Sequence, residues 1–559
     1  VSMSAGGRCR FVVAFFQLLQ LVAIQAVATS IIGRMTSLLA FAGRSATFHL
    51  TACALAVTVL LGACGGGGGP SSSSAAVGTS PGTPAVPTSP AAPGTIRTPD
   101  PIPADFQNYA NLCAAPRSGV DASGLAFPDR QGTLQDEMRF LRGWADRYYL
   151  WYDEIPKDFY MTDFGNTLDY FAKLKTPALT ASGKPKDQFH FTYTTAEWDA
   201  LSTSNQEVGY GVTWSRNRNT APRTWLASIV EPGSPAAAAG LQRGDMLTAV
   251  DGTDFVNTTG AGVDKINAGL FPQKAGEPHR LSLQRAGTAF DVTLTSSVVS
   301  SASVKNAKVI ETASGKVGYL TFEDFNAVAE KQLIDAFTMF QNQKVNDLVI
   351  DMRYNGGGLL YIASELGYMI AGPSSNGQTF ERLVYNGKTA PQSPIPFLNT
   401  AYGFDAPSPA RAGQALPYLG LKRVTVLTTA GTCSASEAVI NGLRGIDVDV
   451  NIIGGGTCGK PYGFTPVANC GTTYFSIEFQ GVNAKGYGDF ADGFTPTCTV
   501  ADDLSHALGD TSENLLAAAL AYRSTNACPT SSSSARASAA PMTLVRSPAK
   551  EIAVLPRRR

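Results

Sequence analysis

The sequence predicts a multidomain α+β protein: an N-terminal helical region, a β-rich binding domain, and a βαβ core with a mainly parallel sheet. Three observations carry this. Apolar residues recur at helical spacing from Leu134 to Trp151. Short apolar runs then alternate with amphipathic helical stretches between residues 317 and 453. Two of those runs end in small-residue loops, at residues 355–358 and 433–436. The carboxyl ends of parallel strands are where such sheets place their sites.

At 559 residues, with 44% hydrophobic content, the chain is long enough for several cored units. Net charge is zero and only 16% of residues are charged, so no charge field points to nucleic acid. Nine cysteines fit an oxidising compartment better than a reducing one.

Residues 1–63 read as a signal region. Residues 11–32 are apolar but diluted by Gln17, Gln20 and Gln25. Residues 52–61 form a short apolar core behind Arg44 and His49, and the stretch ends Leu61-Gly62-Ala63-Cys64. That ending resembles a bacterial lipobox, with Met35 as the expected start and Cys64 as the lipidated residue. A two-helix membrane reading is the competitor. Gly65 in place of aspartate implies, by the same resemblance, the outer rather than the inner membrane, on its periplasmic face. Residues 64–104 are Gly, Ser, Pro, Ala and Thr with almost no charge, the composition of a solvated tether. Residues 531–559 read as a disordered tail.

The folded part divides into units at 105–206, 207–299 and 300–530. In the first, the aromatic face around Trp144 reads as core, and residues 164–174 read as a second helical run. His190 reads as a packed histidine between Phe189 and Phe191.

The second unit opens with Gly209-Tyr210-Gly211-Val212. It continues with Gly233-Ser-Pro-Ala-Ala-Ala-Ala-Gly-Leu241, Arg243-Gly-Asp-Met-Leu247 and Val250-Asp-Gly252. This combination resembles a PDZ domain. Such a domain adds a peptide strand to its sheet edge and points backbone N–H groups at the terminal carboxylate. The resemblance makes residues 209–212 that loop, with Tyr210 and Val212 walling a side-chain pocket.

The third unit carries the chemistry. Val424-Thr-Val-Leu-Thr428 is a strand ending at Thr-Thr-Ala-Gly-Thr-Cys-Ser434-Ala-Ser-Glu437, and Lys460 follows Ser434 by 26 residues in a glycine-rich loop. A serine hydroxyl needs a base to become a nucleophile. None of His49, His190, His279 and His506 has a context that suggests pairing with Ser434, so lysine is the candidate base. A lysine titrates near 10.4 in water, and a neutral fraction at pH 7 needs a shift of about three units, or about 4 kcal/mol. Burial can supply it. The oxyanion formed on attack needs backbone donors, and the Ala435 and Gly357 N–H groups are the candidates.

Ser434-Ala-Ser-Glu437, Gly459-Lys460 and Asp351-Met-Arg-Tyr-Asn-Gly-Gly-Gly358, behind a PDZ-like unit, resemble the C-terminal processing (tail-specific) serine peptidases. So does the closing segment Gly488-Asp-Phe-Ala-Asp-Gly-Phe-Thr-Pro496. The resemblance implies a Ser-Lys dyad of Ser434 and Lys460, and protein or peptide substrates captured through their carboxyl termini. It calls for no cofactor and no metal, and leaves the oligomeric state open. Many members place glutamine four residues after the lysine, where this chain has Phe464, so the lysine-orienting group is open and packing could hold the amine. Apart from Cys64, the cysteines considered are Cys113, Cys433, Cys458, Cys470, Cys498 and Cys528; Cys458–Cys470 is a candidate hairpin staple around Lys460. Two rival readings are a catalytically degenerate peptide-binding scaffold and a hydrolase of cell-wall or lipid esters.

Overall fold

The computed structural model describes residues 97, 99–121, 124–180, 182–529, 542–545 and 553–554. The signal region, Cys64 and most of the linker lie outside the described residues. Among those described, no helix is long and apolar enough to cross a membrane.

The amino-terminal unit centres on α1 (Leu134–Tyr148). Thr133 caps it, accepting from the Asp136 N–H while the Asp136 carboxylate accepts from the Thr133 N–H. Met138, Leu141, Trp144 and Ala145 form its buried stripe. The expected second helix is present but shorter than 164–174, a five-residue α-helix at Thr167–Phe171 capped by Asn166. Strand β1 (Phe191–Thr194) and α2 (Thr195–Ser204) follow. This unit is not self-contained. Its apolar cluster includes Phe464, Tyr474, Phe475 and Ile477 from far down the chain.

The binding domain comprises β2 (Gln206–Gly209), β3 (Val212–Arg216), β4 (Trp225–Val230), β5 (Met246–Val250), α3 (Gly262–Leu270), β6 (Pro278–Arg285), β7 (Thr288–Thr295) and β8 (Ser297–Ser300). Its main sheet runs β7-β6-β5-β4-β3, all antiparallel, and β8 returns to pair with β2. Trp225, Leu247, Leu281 and Leu283 fill its core beneath Val263, Ile266 and Leu270 of α3.

The third unit contains β9 (Val304–Thr312), β10 (Gly315–Phe322), α4 (Ala327–Asn342), β11 (Asp347–Asp351), β12 (Gly358–Leu359), α5 (Leu360–Ala371), β13 (Thr379–Tyr385), β14 (Arg423–Thr428), α6 (Ala435–Gly445), β15 (Asp449–Gly454), β16 (Tyr462–Phe464), β17 (Thr472–Phe475), β18 (Phe479–Val482), β19 (Cys498–Thr499) and α7 (Asn514–Thr525). Its six-stranded sheet runs β9-β10-β11-β14-β15-β19. The β9–β10 hairpin is antiparallel, and the pairings from β10 through β19 are parallel. Over the whole set of described strands, most pairings are antiparallel.

Both faces of this sheet are covered, which explains why its strands read as continuous apolar runs. Leu348, Ile350, Val424, Val426 and Ile452 face the cluster built with α4, α5 and α6. Val317, Tyr319, Val349, Leu427 and Ile453 face Leu515 and Leu516 of α7. A second sheet holds β16, β18 and β13 in antiparallel order, and β17 pairs with β1 to fasten the amino-terminal unit.

Three disulfides are present: Cys113–Cys470, Cys433–Cys458 and Cys498–Cys528. The expected Cys458–Cys470 staple is therefore corrected. Cys470 lies beside the amino-terminal unit because β17 pairs with β1, and Cys458 faces the serine loop. The tail is also not wholly irregular. Residues 543–545 form β20 and residues 553–554 form β21, both hydrogen-bonded to other strands. The expectation of disorder there rested on composition alone, which is blind to a two- or three-residue strand completing another sheet.

Candidate active site

Ser434 sits where β14 gives way to α6, at φ +57° and ψ −110°. A side chain other than glycine, asparagine or aspartate is rare at positive φ, and such strain gathers at functional sites at a cost on the order of 1–3 kcal/mol. The surroundings over-determine it. The Cys433 N–H donates to Asn355 O at 2.9 Å, and Ser436 Oγ donates to the same carbonyl at 3.0 Å. Thr432 Oγ1 donates to Met352 O at 2.8 Å, and Thr429 Oγ1 to Arg353 O. The turn presents a buried hydroxyl, 2% exposed by residue, whose Oγ has no hydrogen-bond partner among the described residues.

Lys460 is 1% exposed. Its Nζ lies 3.8 Å from the centroid of the Phe189 ring and 4.8 Å from that of Phe464. Ser434 and Lys460 line one small, narrow cavity together with Leu360, Glu381, Ala438, Tyr462 and Phe490. The structure thus brings the two sequence candidates together, and no histidine lines that cavity. His190 stacks on Phe171 and bonds its carbonyl. His279 pairs with Asp251 and His506 with Asp503.

Glu437 joins the serine and lysine loops. Its carboxylate accepts from the N–H of Ser434 (2.9 Å), Gly459 (2.9 Å) and Lys460 (2.8 Å), and from Thr457 Oγ1 (2.6 Å). Burial pushes this carboxyl upward, and the Thr457 hydroxyl and the backbone donors pull it back. The Cys433–Cys458 disulfide ties the same two loops from the other side. Glu437 was quoted in the sequence motif without a role. Its position three residues after a helix-start serine, the capping-box spacing, was the available signal.

Phe189 was read only as a neighbour of His190, and Glu381 was not singled out. Glu381 is 5% exposed, and its Oε2 has no hydrogen-bond partner among the described residues. Burial alone pushes its carboxyl up to about 8.

The two expected oxyanion donors fare differently. Ala435 opens α6, with its N–H directly after Ser434. The Gly357 N–H donates to Asn355 Oδ1 at 2.9 Å, so this donor is engaged within its own loop. Gly358, at φ +132°, is required as glycine: a Cβ there would stand 2.4 Å from Phe325 O.

In the binding domain, Gly211 is at φ +74° with Ser234 pressed against it, and Val212 is half-buried. Gly209 ends β2. Tyr210 does not wall a pocket as expected. It is buried in the domain core and donates its hydroxyl to Gly269 O at 2.9 Å. A phenol with an internal partner packs as core.

This domain is tied by side-chain bonds to the unit that carries Ser434 and Lys460. Arg243 bonds Asp502 Oδ1 at 2.9 Å, and Arg353 bonds the same oxygen at 2.8 Å. Arg353 is fully buried and also holds Asp351 and Glu513. Lys305 bridges Glu231 of the binding domain and Glu323 of the core, at 2.6 Å to each.

Comparison with known proteins agrees with this architecture. Residues 316–500 match Peptidase family S41, and residues 228–266 match a PDZ domain. A carboxyl-terminal-processing protease of Picosynechococcus is 30% identical over 170 residues, covering 30% of this chain and 39% of that protein. One of Synechocystis is 30% identical over 209 residues, covering 35% and 47%. The chain thus spans less than half the length of either. A crystal structure of a putative S41 protease from Bacteroides fragilis superposes with a TM-score of 0.54 at 28% identity, covering 69% of this chain and 97% of that one.

Proposed function

Because the chain carries a domain of peptidase family S41 behind a PDZ domain, we propose that it is a serine endopeptidase of the C-terminal processing type. Ser434 is the nucleophile and Lys460 its general base. The observation that carries this reading is the strained Ser434 whose Oγ has no partner among the described residues, facing the same small cavity as a buried lysine.

The amine, shielded from water, takes the Oγ proton as the hydroxyl attacks the substrate carbonyl. The developing oxyanion is met by the Ala435 N–H at the start of α6, where the helix dipole adds positive potential. The Gly357 N–H joins once Asn355 releases it. The protonated amine then gives its proton to the leaving nitrogen, and water hydrolyses the acyl-serine by the reverse sequence of transfers. Phe189 and Phe464 hold the amine where the family usually has an amide. Substrates are extracytoplasmic proteins whose carboxyl termini add to the β3 edge. The enzyme is anchored through lipidated Cys64 to the periplasmic face of the outer membrane.

The test is cleavage of an unfolded protein by the Ser434→Ala chain, with circular dichroism as the control for fold. The reading expects no cleavage with an unchanged spectrum, and retained cleavage overturns it. Intact-mass analysis of detergent-extracted protein tests the anchor, which Cys64→Ser removes.

A further inference from the structure

The two short tail strands sit in the two places where a substrate would sit. Strand β20 pairs antiparallel with β3, Thr543 opposite Arg216 and Val545 opposite Trp214. It therefore occupies the free edge of the binding-domain sheet. It also runs toward residues 209–212, the direction a captured carboxyl terminus takes in strand addition. Val545 is buried in the domain's apolar cluster with Tyr210, Trp214 and Leu270. Leu544 reaches the other way. A Cβ placed on Gly431, within the serine loop, would lie 3.3 Å from Leu544 Cδ1.

Strand β21 then lies between β12 and β16, parallel to both. Ala553 is opposite Gly358 on one side and Gly463 on the other, and Val554 is opposite Leu359 and Phe464. β12 begins one residue after the candidate donor Gly357, and β16 begins two residues after Lys460. Strands in a sheet are about 4.8 Å apart, so without β21 the edges of β12 and β16 would face each other across a gap one strand wide. A slot of that width, bordered by the glycine run and the lysine loop, fits an extended peptide.

We propose that the two segments 543–545 and 553–554 act as an intramolecular pseudo-substrate, so that an incoming chain must displace them from the binding-domain edge and from the cleft. The inference deepens the peptidase reading and rests on it only for its kinetic arm. A tethered segment needs little intrinsic affinity to compete, because its effective concentration is on the order of millimolar. If the tail fills the cleft nine-tenths of the time, its release lowers the apparent KM about tenfold.

The experiment compares the full chain with two full-length variants, Leu544→Asp/Val545→Asp and Ala553→Pro. The second exploits the exclusion of proline from a strand paired on both sides. Hydrogen exchange by mass spectrometry should show faster exchange at residues 212–216 in the first variant. It should show faster exchange at residues 358–359 and 462–464 in the second. A fluorescent peptide of residues 541–555 should bind both variants more tightly than the parent. KM for an unfolded protein should fall about tenfold at unchanged kcat, and the unlabelled peptide should restore it. Unchanged exchange, no peptide binding and unchanged KM would overturn the proposal while leaving the peptidase reading intact. If no chain cleaves anything, the peptidase reading fails, and the exchange and binding arms still decide where the tail sits.

Discussion

The two halves of the candidate site are held in place by opposite means. Ser434 is fixed because its loop donates hydrogen bonds to the carbonyls of Asn355, Met352 and Arg353 and to the Glu437 carboxylate. The Lys460 amine lies against two ring faces. The difference follows from what each group needs. A nucleophile must keep one strained backbone geometry, and directional bonds specify that. A general base, the part proposed for Lys460, works best shielded from water, and ring faces supply shielding. Glu437 is where the two methods meet, since it grips backbone on both sides.

The largest effect should come from the reacting groups themselves. Ser434→Ala and Lys460→Ala are each expected to lower kcat/KM by at least about three orders of magnitude, with little additional loss in the double variant. Full additivity would show that the two do not act as a unit.

Next comes Glu437→Gln, which keeps the volume but replaces an acceptor oxygen with a donor. At least one buried N–H loses its acceptor, at about 1–3 kcal/mol, and the two loops drift apart. We expect about a hundredfold loss in kcat with a lowered Tm. An unchanged kcat would confine Glu437 to a structural part.

Phe464→Leu should lower kcat about tenfold at nearly constant KM by loosening the amine, whereas Phe464→Gln should retain more activity because an amide can orient it by hydrogen bonding. The reverse order would show that the ring does more than hold position.

The smallest effect is on stability. With the Glu381 carboxyl raised from 4.5 to about 8 by burial, the group is neutral in both states below about pH 4.5. Between about pH 4.5 and 8 the unfolded chain ionises while the folded chain does not, so its contribution to stability falls as pH rises through that window. Differential scanning calorimetry should show a shallower fall in Tm from pH 5 to 8 for Glu381→Gln than for the parent.

The serine half was legible in sequence because its determinants are local. A strand, a tight turn and a helix start lie within twenty residues of one another. The sheet strands were legible because burial on both faces leaves unbroken apolar runs, as in Asp347–Asp351. The lysine half was only partly legible. The open position at Phe464 suggested packing, but Phe189 lies far away in sequence and arrives through the pairing of β1 with β17. The same pairing explains why the amino-terminal unit looked separate and why Cys470 was assigned the wrong partner. Leu544 and Val545 carried no readable signal, because two apolar residues become a strand only when another sheet supplies the second half of the ladder.

The Cys113–Cys470 bond joins residues 357 positions apart, and the apolar cluster it seals is completed by Phe464, Tyr474, Phe475 and Ile477. The chain must therefore be made at least as far as Ile477 before the unit from Phe106 to Leu201 can settle. Until then that unit offers unfinished apolar surface to whatever escorts it. Completion of that unit is thereby deferred until the two distant thiols can meet and be oxidised.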